Sequence, residues 1–369
     1  MKKNIVLILG KLPPPYMGPA IATQIILNSS LRNHFELLHV DTKANQTLDD
    51  LGKWSLGKIF RNLAIYFRLF GTIIRHRPAL VLIPISQTST GFIKDFFLIA
   101  ISKITFRKVL VQLRGSSFLD WLSKTSLFMR WFVRGSLKTT QGVIVLGNNL
   151  RHLFRGIFPE GRIFVVPNGG NYPLAFTVKR NDPVRVLYLA NLQSSKGIED
   201  VLQSTAILAE KNMNHFHLDV VGEWRSESTR AFCTALVKDK KLPVSFHPAS
   251  SGNEKMNYLK HADIFVFTPR MPEGHPWVIV EAMAAGLPVI STDQGAIVES
   301  VRDGENGYIV PANSPEEIAA RLAKLIPDSA LREKMGRAGR SLYEENFTED
   351  KMVERLRDTF MTVIENRKH

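Results

Sequence analysis

The feature that most limits the fold of this chain is an alternation. Short runs rich in Val, Ile, Leu and Phe recur along all 369 residues, each separated from the next by a stretch of helical periodicity. Such alternation specifies parallel strands joined by crossover helices. In the first half the expected strands are residues 4–9, 36–41, 80–85, 109–113, 142–146 and 163–167. The second half offers 184–190, 217–221, 244–247, 264–268 and 288–292. Between the two series, the stretch from Asn168-Gly169-Gly170-Asn171 to Asn181-Asp182-Pro183 is turn-rich and aperiodic. The expected organisation is an α/β chain of two Rossmann-like domains, 1–172 and 184–345, with a linker at 173–183 and a C-terminal helical segment at 346–369.

Cysteine usage and charge narrow the setting. Cys233 is the only cysteine, which excludes an intrachain disulfide and a thiolate metal cage, and a reducing, cytoplasmic compartment is expected. The apolar run at 5–9 is too short for a signal-peptide core. No apolar stretch approaches the roughly 20 residues that cross a bilayer. Residues 1–175 hold 23 Lys+Arg against 7 Asp+Glu, whereas the remainder holds 25 against 27. This asymmetry points to an anionic partner for the first half.

The segment 58–74 is strongly amphipathic. Ile59, Leu63, Tyr66, Phe67, Phe70, Ile73 and Ile74 are expected on one apolar face, with Arg61, Arg68 and Arg75 opposite. Segments 92–106 and 118–134 repeat the basic–aromatic mixture. Either these are crossover helices buried on a sheet or they form a peripheral membrane surface. The charge of the first half favours an anionic membrane face. No nucleic-acid-binding module or stacking motif is present, so nucleic acid is not an expected partner.

The chemistry-bearing stretch is Thr268-Pro-Arg-Met-Pro-Glu-Gly-His-Pro-Trp-Val-Ile-Val-Glu-Ala-Met-Ala-Ala-Gly-Leu-Pro-Val-Ile-Ser-Thr-Asp293. Glu273 precedes Gly274 in a loop. Pro276 suits the first position of a helix, where its missing N–H costs nothing. Glu281 then falls in the second turn, among Val278, Ile279, Val280, Ala282 and Met283. A carboxylate among such neighbours is costly unless something binds it.

This Glu-Gly, second Glu, Ala-Met-Ala-Ala-Gly pattern resembles the donor-site signature of retaining glycosyltransferases of family 4, which have the GT-B fold. The resemblance is strongest over residues 184–345. It implies an active site in the cleft between two domains and a C-terminal helix that crosses back to the first. Glu273 would lie beside the transferred sugar, and Glu281 would grip the ribose hydroxyls of a UDP- or GDP-linked donor. Leu187-Tyr188-Leu189-Ala190-Asn191-Leu192, followed by Ser194-Ser195-Lys196-Gly197, is similar to the family's second donor motif and assigns Lys196 to the donor phosphates. Ser194 or Ser195 can cap the helix that follows.

The chain departs from the pattern at two places. Asn191 stands where the family usually has arginine, and Arg114 stands at a strand exit that often carries histidine. Arg114 and Arg270 are the candidates for an acceptor or a phosphate. Backbone amides from Gly274 to Trp277, together with His275, are further candidates for donor contacts. Gly18, in the Lys11–Pro19 exit loop, matches a glycine that faces the family's cleft, but no G-x-G-x-x-G is present, which argues against a nicotinamide enzyme. No Asp-x-Asp clamp accompanies these motifs, so neither a divalent metal nor a cofactor is expected.

The expected activity is retaining transfer of a sugar to an acceptor hydroxyl, with a lipid-linked saccharide as acceptor at the inner membrane face. Two alternatives stay open at this point: a GT-B-like nucleotide-sugar epimerase, and a non-catalytic membrane-bound scaffold.

Overall fold

A computed structural model describes residues 3–14, 17–43, 56–177 and 181–365, with backbone alone at 56–59. It contains two compact units, Met1–Asn168 with Glu349–His369, and Gly169–Thr348. The first unit runs β1 (Asn4–Gly10), α1 (Gly18–Asn28), β2 (Phe35–Asp41), α2 (Leu56–His76), β3 (Leu80–Ile85), α3 (Ser89–Ile104), β4 (Lys108–Leu113), α4 (Phe118–Ser123), α5 (Leu127–Lys138), β5 (Gly142–Val145) and β6 (Ile163–Val165). The second runs β7 (Val184–Leu189), α6 (Ile198–Glu210), β8 (Phe216–Val221), α7 (Glu227–Asp239), β9 (Val244–His247), α8 (Gly252–His261), β10 (Ile264–Phe267), α9 (Trp277–Ala284), β11 (Val289–Thr292), α10 (Ile297–Ser300), β12 (Gly307–Val310), α11 (Pro315–Leu325) and α12 (Ser329–Asn346). The chain then returns to the first unit as α13 (Glu349–Glu365), where Phe360 meets Phe35 edge to face and Lys108 Nζ donates to the carbonyls of Val363 and Ile364.

Each unit holds one six-stranded parallel sheet, ordered β2-β1-β3-β4-β5-β6 in the first and β12-β11-β10-β7-β8-β9 in the second. The central strands read as unbroken apolar runs because helices cover both faces. Val6 to Leu9, Leu80 to Ile83 and Ile264 to Val266 are entirely buried. Helices start where side chains satisfy orphan amides: Thr88 accepts from Gly91 N–H for α3, Ser126 from Met129 N–H for α5, and Ser226 from Thr229 N–H for α7.

All eleven strands expected from the sequence are present, and β12 is an additional one. Its four residues follow a turn directly and lie at the sheet edge, too short for a periodicity signal. The units divide at Asn168, ahead of the stretch expected to be the linker. Residue 174 of that stretch is anchored in the second unit: Leu174 is buried, and its carbonyl accepts from Arg340 Nη1 at 2.7 Å.

Helix α2 corrects the expected apolar face. Its buried side is Ile65, Leu69 and Ile73, whereas Leu63, Phe67, Phe70 and Ile74 are exposed, Phe67 at 75%. The side chain of Ile59 lies outside the described residues. The helix carries two apolar stripes: 65-69-73 packs inward, and 60-63-67-70-74 does not. Helix α2 packs on α3 and α3 on α5. The exposed apolar surface continues along them through Ile93, Phe97, Ile104, Leu127, Phe128 and Trp131.

Candidate active site

In the second sheet the winding order reverses between the adjacent parallel strands β7 and β10. Ligands of open α/β sheets bind at such a switch point, beyond the carboxyl ends of the strands. The loop after β7 carries Asn191 and Lys196; the loop after β10 carries Arg270 and Glu273. A backbone bond from Arg270 N–H to the Ser195 carbonyl, 3.0 Å, ties the two loops. The ammonium of Lys196 donates to Oε1 of Glu273. The two residues expected to do the chemistry are thus an ion pair, and both side chains keep some exposure, 25% and 16%.

Two glycines let these loops close up. Gly197 has φ +79°, and a Cβ there would lie 1.8 Å from the Thr268 carbonyl oxygen. Gly295 has φ +61°, and its Cβ would lie 1.8 Å from the Glu273 carbonyl oxygen. Any larger residue at either place would move the loop that carries a charged group. Gly197 also supplies the N-cap of α6, so neither serine caps it; Ser194 Oγ instead donates to Glu199 Oε1 at 2.6 Å.

Pro276 occupies the N-cap of α9, one place before its expected first position. Glu281 lies in the second turn, 3% exposed. Lys255, on α8, donates to its Oε1, while Oε2 is buried with no hydrogen-bond partner among the described residues. Lys255 carries no sequence signal, since it sits on a polar helix and looks like any solvated cation.

Two of the expected contact residues are engaged within the protein. Arg270 is paired within the unit: Nε and Nη2 grip Asp200 at 2.8 and 2.6 Å, and Nη1 reaches Glu199 at 2.5 Å. The Asp200 hydrogen bonds push its pKa further above the ordinary arginine value. His275 turns inward. It is 3% exposed, its Nε2 is 2.6 Å from Ser300 Oγ, and its ring lies 5.1 Å from that of Phe347.

Of the other expected residues, Gly274 is buried and its carbonyl accepts from Ala296 N–H at 2.8 Å, and Asn191 is exposed. Gly18 opens α1 in the first unit. Arg114 leaves β4 there, with Nε donating to Gln112 Oε1 at 3.0 Å and Nη1 to Thr23 Oγ1 at 2.9 Å. Among the described residues no group of three or more His, Cys, Asp or Glu is placed to hold a metal ion.

Residues 175–342 match the family model of glycosyl transferases group 1. A capsular polysaccharide biosynthesis glycosyltransferase, CapM of Staphylococcus aureus, is 31% identical over 194 residues, 50% of this chain and 47% of that protein. The amylovoran biosynthesis glycosyltransferase AmsK of Erwinia amylovora is 29% identical over 42% of this chain and 40% of its own length. The matched stretch thus spans about half the length of these relatives. Two solved structures share the fold over nearly the whole chain. Sucrose-phosphate synthase of Thermosynechococcus elongatus superposes with TM-score 0.76 at 16% identity, over 98% of this chain and 99% of that one. Anabaena Alr3699/HepE, in complex with UDP and glucose, superposes with TM-score 0.73 at 16% identity, over 97% and 100%. The fold is that of the GT-B glycosyltransferases.

Proposed function

We propose that this chain is a retaining glycosyltransferase that moves a sugar from a UDP- or GDP-linked donor to an acceptor hydroxyl in surface-polysaccharide or glycolipid synthesis. The observation that carries the reading is the unpartnered Oε2 of Glu281. A buried carboxylate oxygen without a donor is costly, and a vicinal diol supplies the missing hydrogen bond while sharing Oε1 with Lys255. The similarity to polysaccharide glycosyltransferases over the second unit supports the same reading, as does the UDP and glucose in the Anabaena structure.

In this reading the donor diphosphate takes Lys196 from Glu273, and the freed carboxylate positions the sugar and stabilises positive charge developing on it. The acceptor hydroxyl attacks on the face from which the diphosphate leaves, and the diphosphate takes the hydroxyl proton. No second carboxylate nucleophile is required, unlike in retaining glycosidases. Neither a divalent metal nor a cofactor is part of the scheme, so turnover is expected to survive EDTA.

A thermal-shift panel of UDP, GDP, ADP and their sugars tests the reading, because a ligand of the native state raises its stability. Stabilisation by one nucleotide, lost in Glu281→Ala, is expected; no shift with any of them would sink the proposal. Sugar transfer to an acceptor separates a transferase from an epimerase or a scaffold.

The exposed aromatic surface of α2, α3 and α5 favours attachment to an anionic membrane, where a lipid-linked acceptor would be found. Aromatic side chains insert at the headgroup boundary, and the excess of Lys and Arg in this half draws them there. Among the described residues no helix is long and apolar enough to cross a membrane.

A further inference from the structure

The first unit has its own switch point, between β1 and β3, and a cavity of about 270 Å³ opens there. Its walls come from the exits of β1, β2, β3 and β4 and from α3. Four cationic side chains line it, Lys11, Lys43, Lys94 and Arg114, against one carboxylate, Asp95.

The single carboxylate does not offset them. Asp95 is fixed in the wall by accepting from Ser86 N–H at 2.7 Å, and its nearest cation in the wall is Lys94 at 3.8 Å. Lys43 Nζ donates to the Pro14 carbonyl, and its own N–H is taken by Asp41. Arg114 is held by neutral acceptors only: Gln112, Thr23 and the Pro19 carbonyl. Its Nη2 is shut off from solvent with no hydrogen-bond partner among the described residues, as is Oε1 of Gln87, another lining residue. Burial lowers the Arg114 pKa to about 10, and burial with the nearby Lys94 lowers that of Lys11. A guanidinium partly shielded from water without a counter-charge is costly. Converging cations of this kind are what an anion relieves.

We infer that this cavity is an anion site that receives a phosphate or carboxylate group, with Lys11, Lys43 and Lys94 as contacts and Arg114 as the fixed charge behind them. The inference rests on the transferase reading in one respect: it makes the anion part of the acceptor. A volume of this size holds a phosphate or one acidic sugar ring, not a whole lipid-linked oligosaccharide. Phosphate-bearing and uronic-acid acceptors offer the same chemistry, and binding distinguishes them.

The full chain is titrated calorimetrically with pyrophosphate, glucuronate and glucose, in the native form and in Lys196→Ala, which removes the lysine assigned to the donor phosphates. Pyrophosphate or glucuronate is expected to bind at least tenfold more tightly than glucose, in both forms. Preference for pyrophosphate identifies a phosphate-bearing acceptor; preference for glucuronate identifies an acidic sugar. Lys11→Gln and Lys94→Gln, both at half-exposed positions, are each expected to weaken the preferred anion about tenfold with the unfolding midpoint unchanged. Arg114→Gln is expected to weaken it further. Anion affinity no greater than that for glucose, or unaltered by the lysine variants, overturns the inference. Nucleotide binding is read separately: nucleotide without anion refutes the anion site alone, and anion without nucleotide refutes the donor reading alone.

Discussion

Lys255 and Glu281 meet inside the second unit across two helices, α8 and α9, with the lysine donating to one carboxylate oxygen and the other oxygen unpartnered. The lysine keeps 18% side-chain exposure and the glutamate 4%. The pair fixes the carboxylate with one oxygen still to be satisfied. Replacing Lys255 by Met leaves the charge of Glu281 buried and unpaired, and a loss of about 3 kcal/mol is expected from denaturant unfolding. Glu281→Gln is expected to weaken donor-nucleotide binding about tenfold, as charge-assisted hydrogen bonds become neutral ones. Equal nucleotide affinity in both variants and the native chain would remove Glu281 from the donor site.

The Lys196–Glu273 pair predicts a kinetic pattern. Lys196→Ala is expected to lower kcat by about 10²–10³, the usual loss when one charge-stabilising donor is removed. Glu273→Gln keeps the shape of the loop, so it is expected to lower kcat with little change in nucleotide affinity. Steady-state transfer assays check both; an unaltered kcat in either variant would exclude that residue from the reaction.

Arg270 is predicted to act on stability. Arg270→Ala leaves the buried Asp200 without its guanidinium, and a loss of about 3 kcal/mol is expected on unfolding. Donor-nucleotide affinity at a temperature where the variant is folded is expected within about threefold of native, far less than the loss of a charge-assisted contact would cost. A large loss of affinity in a variant of native stability would restore Arg270 as a phosphate ligand.

Asp95 gives a pH signature. Burial pushes its carboxyl above the ordinary value, against the opposing pull of Lys94, Ser86 and Lys11. An acid whose pKa is higher in the folded state favours folding when protonated. That contribution is present below the unfolded pKa of about 4 and is lost as pH rises through the folded value. Asp95→Asn is therefore expected to be more stable than the native chain at pH 7 and to lose that advantage toward pH 3. Unfolding curves across this range check the sign, and a native chain that gains on the variant as pH rises contradicts it.

The exposed stripe of α2 and the aromatics of α5 predict membrane behaviour. Flotation with phosphatidylglycerol vesicles is expected to recover the chain and to weaken with added salt. Phe67→Ser and Trp131→Ser are each expected to lower the partition about tenfold, in line with the apolar area each exposes. Recovery that is the same for native and variant chains, or absent for both, would leave this surface without a membrane role.

The alternation of apolar runs was enough to specify two parallel α/β units, because strands buried on both faces are readable without knowing their neighbours. The stretch from Thr268 to Asp293 likewise made the burial of Glu281 legible, since a carboxylate in an apolar helix is conspicuous in one dimension. Three outcomes were decided only by the tertiary structure. Arg270 looks like a phosphate ligand until Asp200 and Glu199, seventy residues away, are folded against it. His275 is spent on Ser300 and Phe347, and Lys255 reaches Glu281 from a helix whose sequence advertises nothing. Helix α2 shows the same limit: two apolar stripes satisfy one periodicity, and the sheet and α3 choose which is buried. Local pattern determines which side chains share a face; the choice of partner for a long, charged side chain is made by segments distant in sequence.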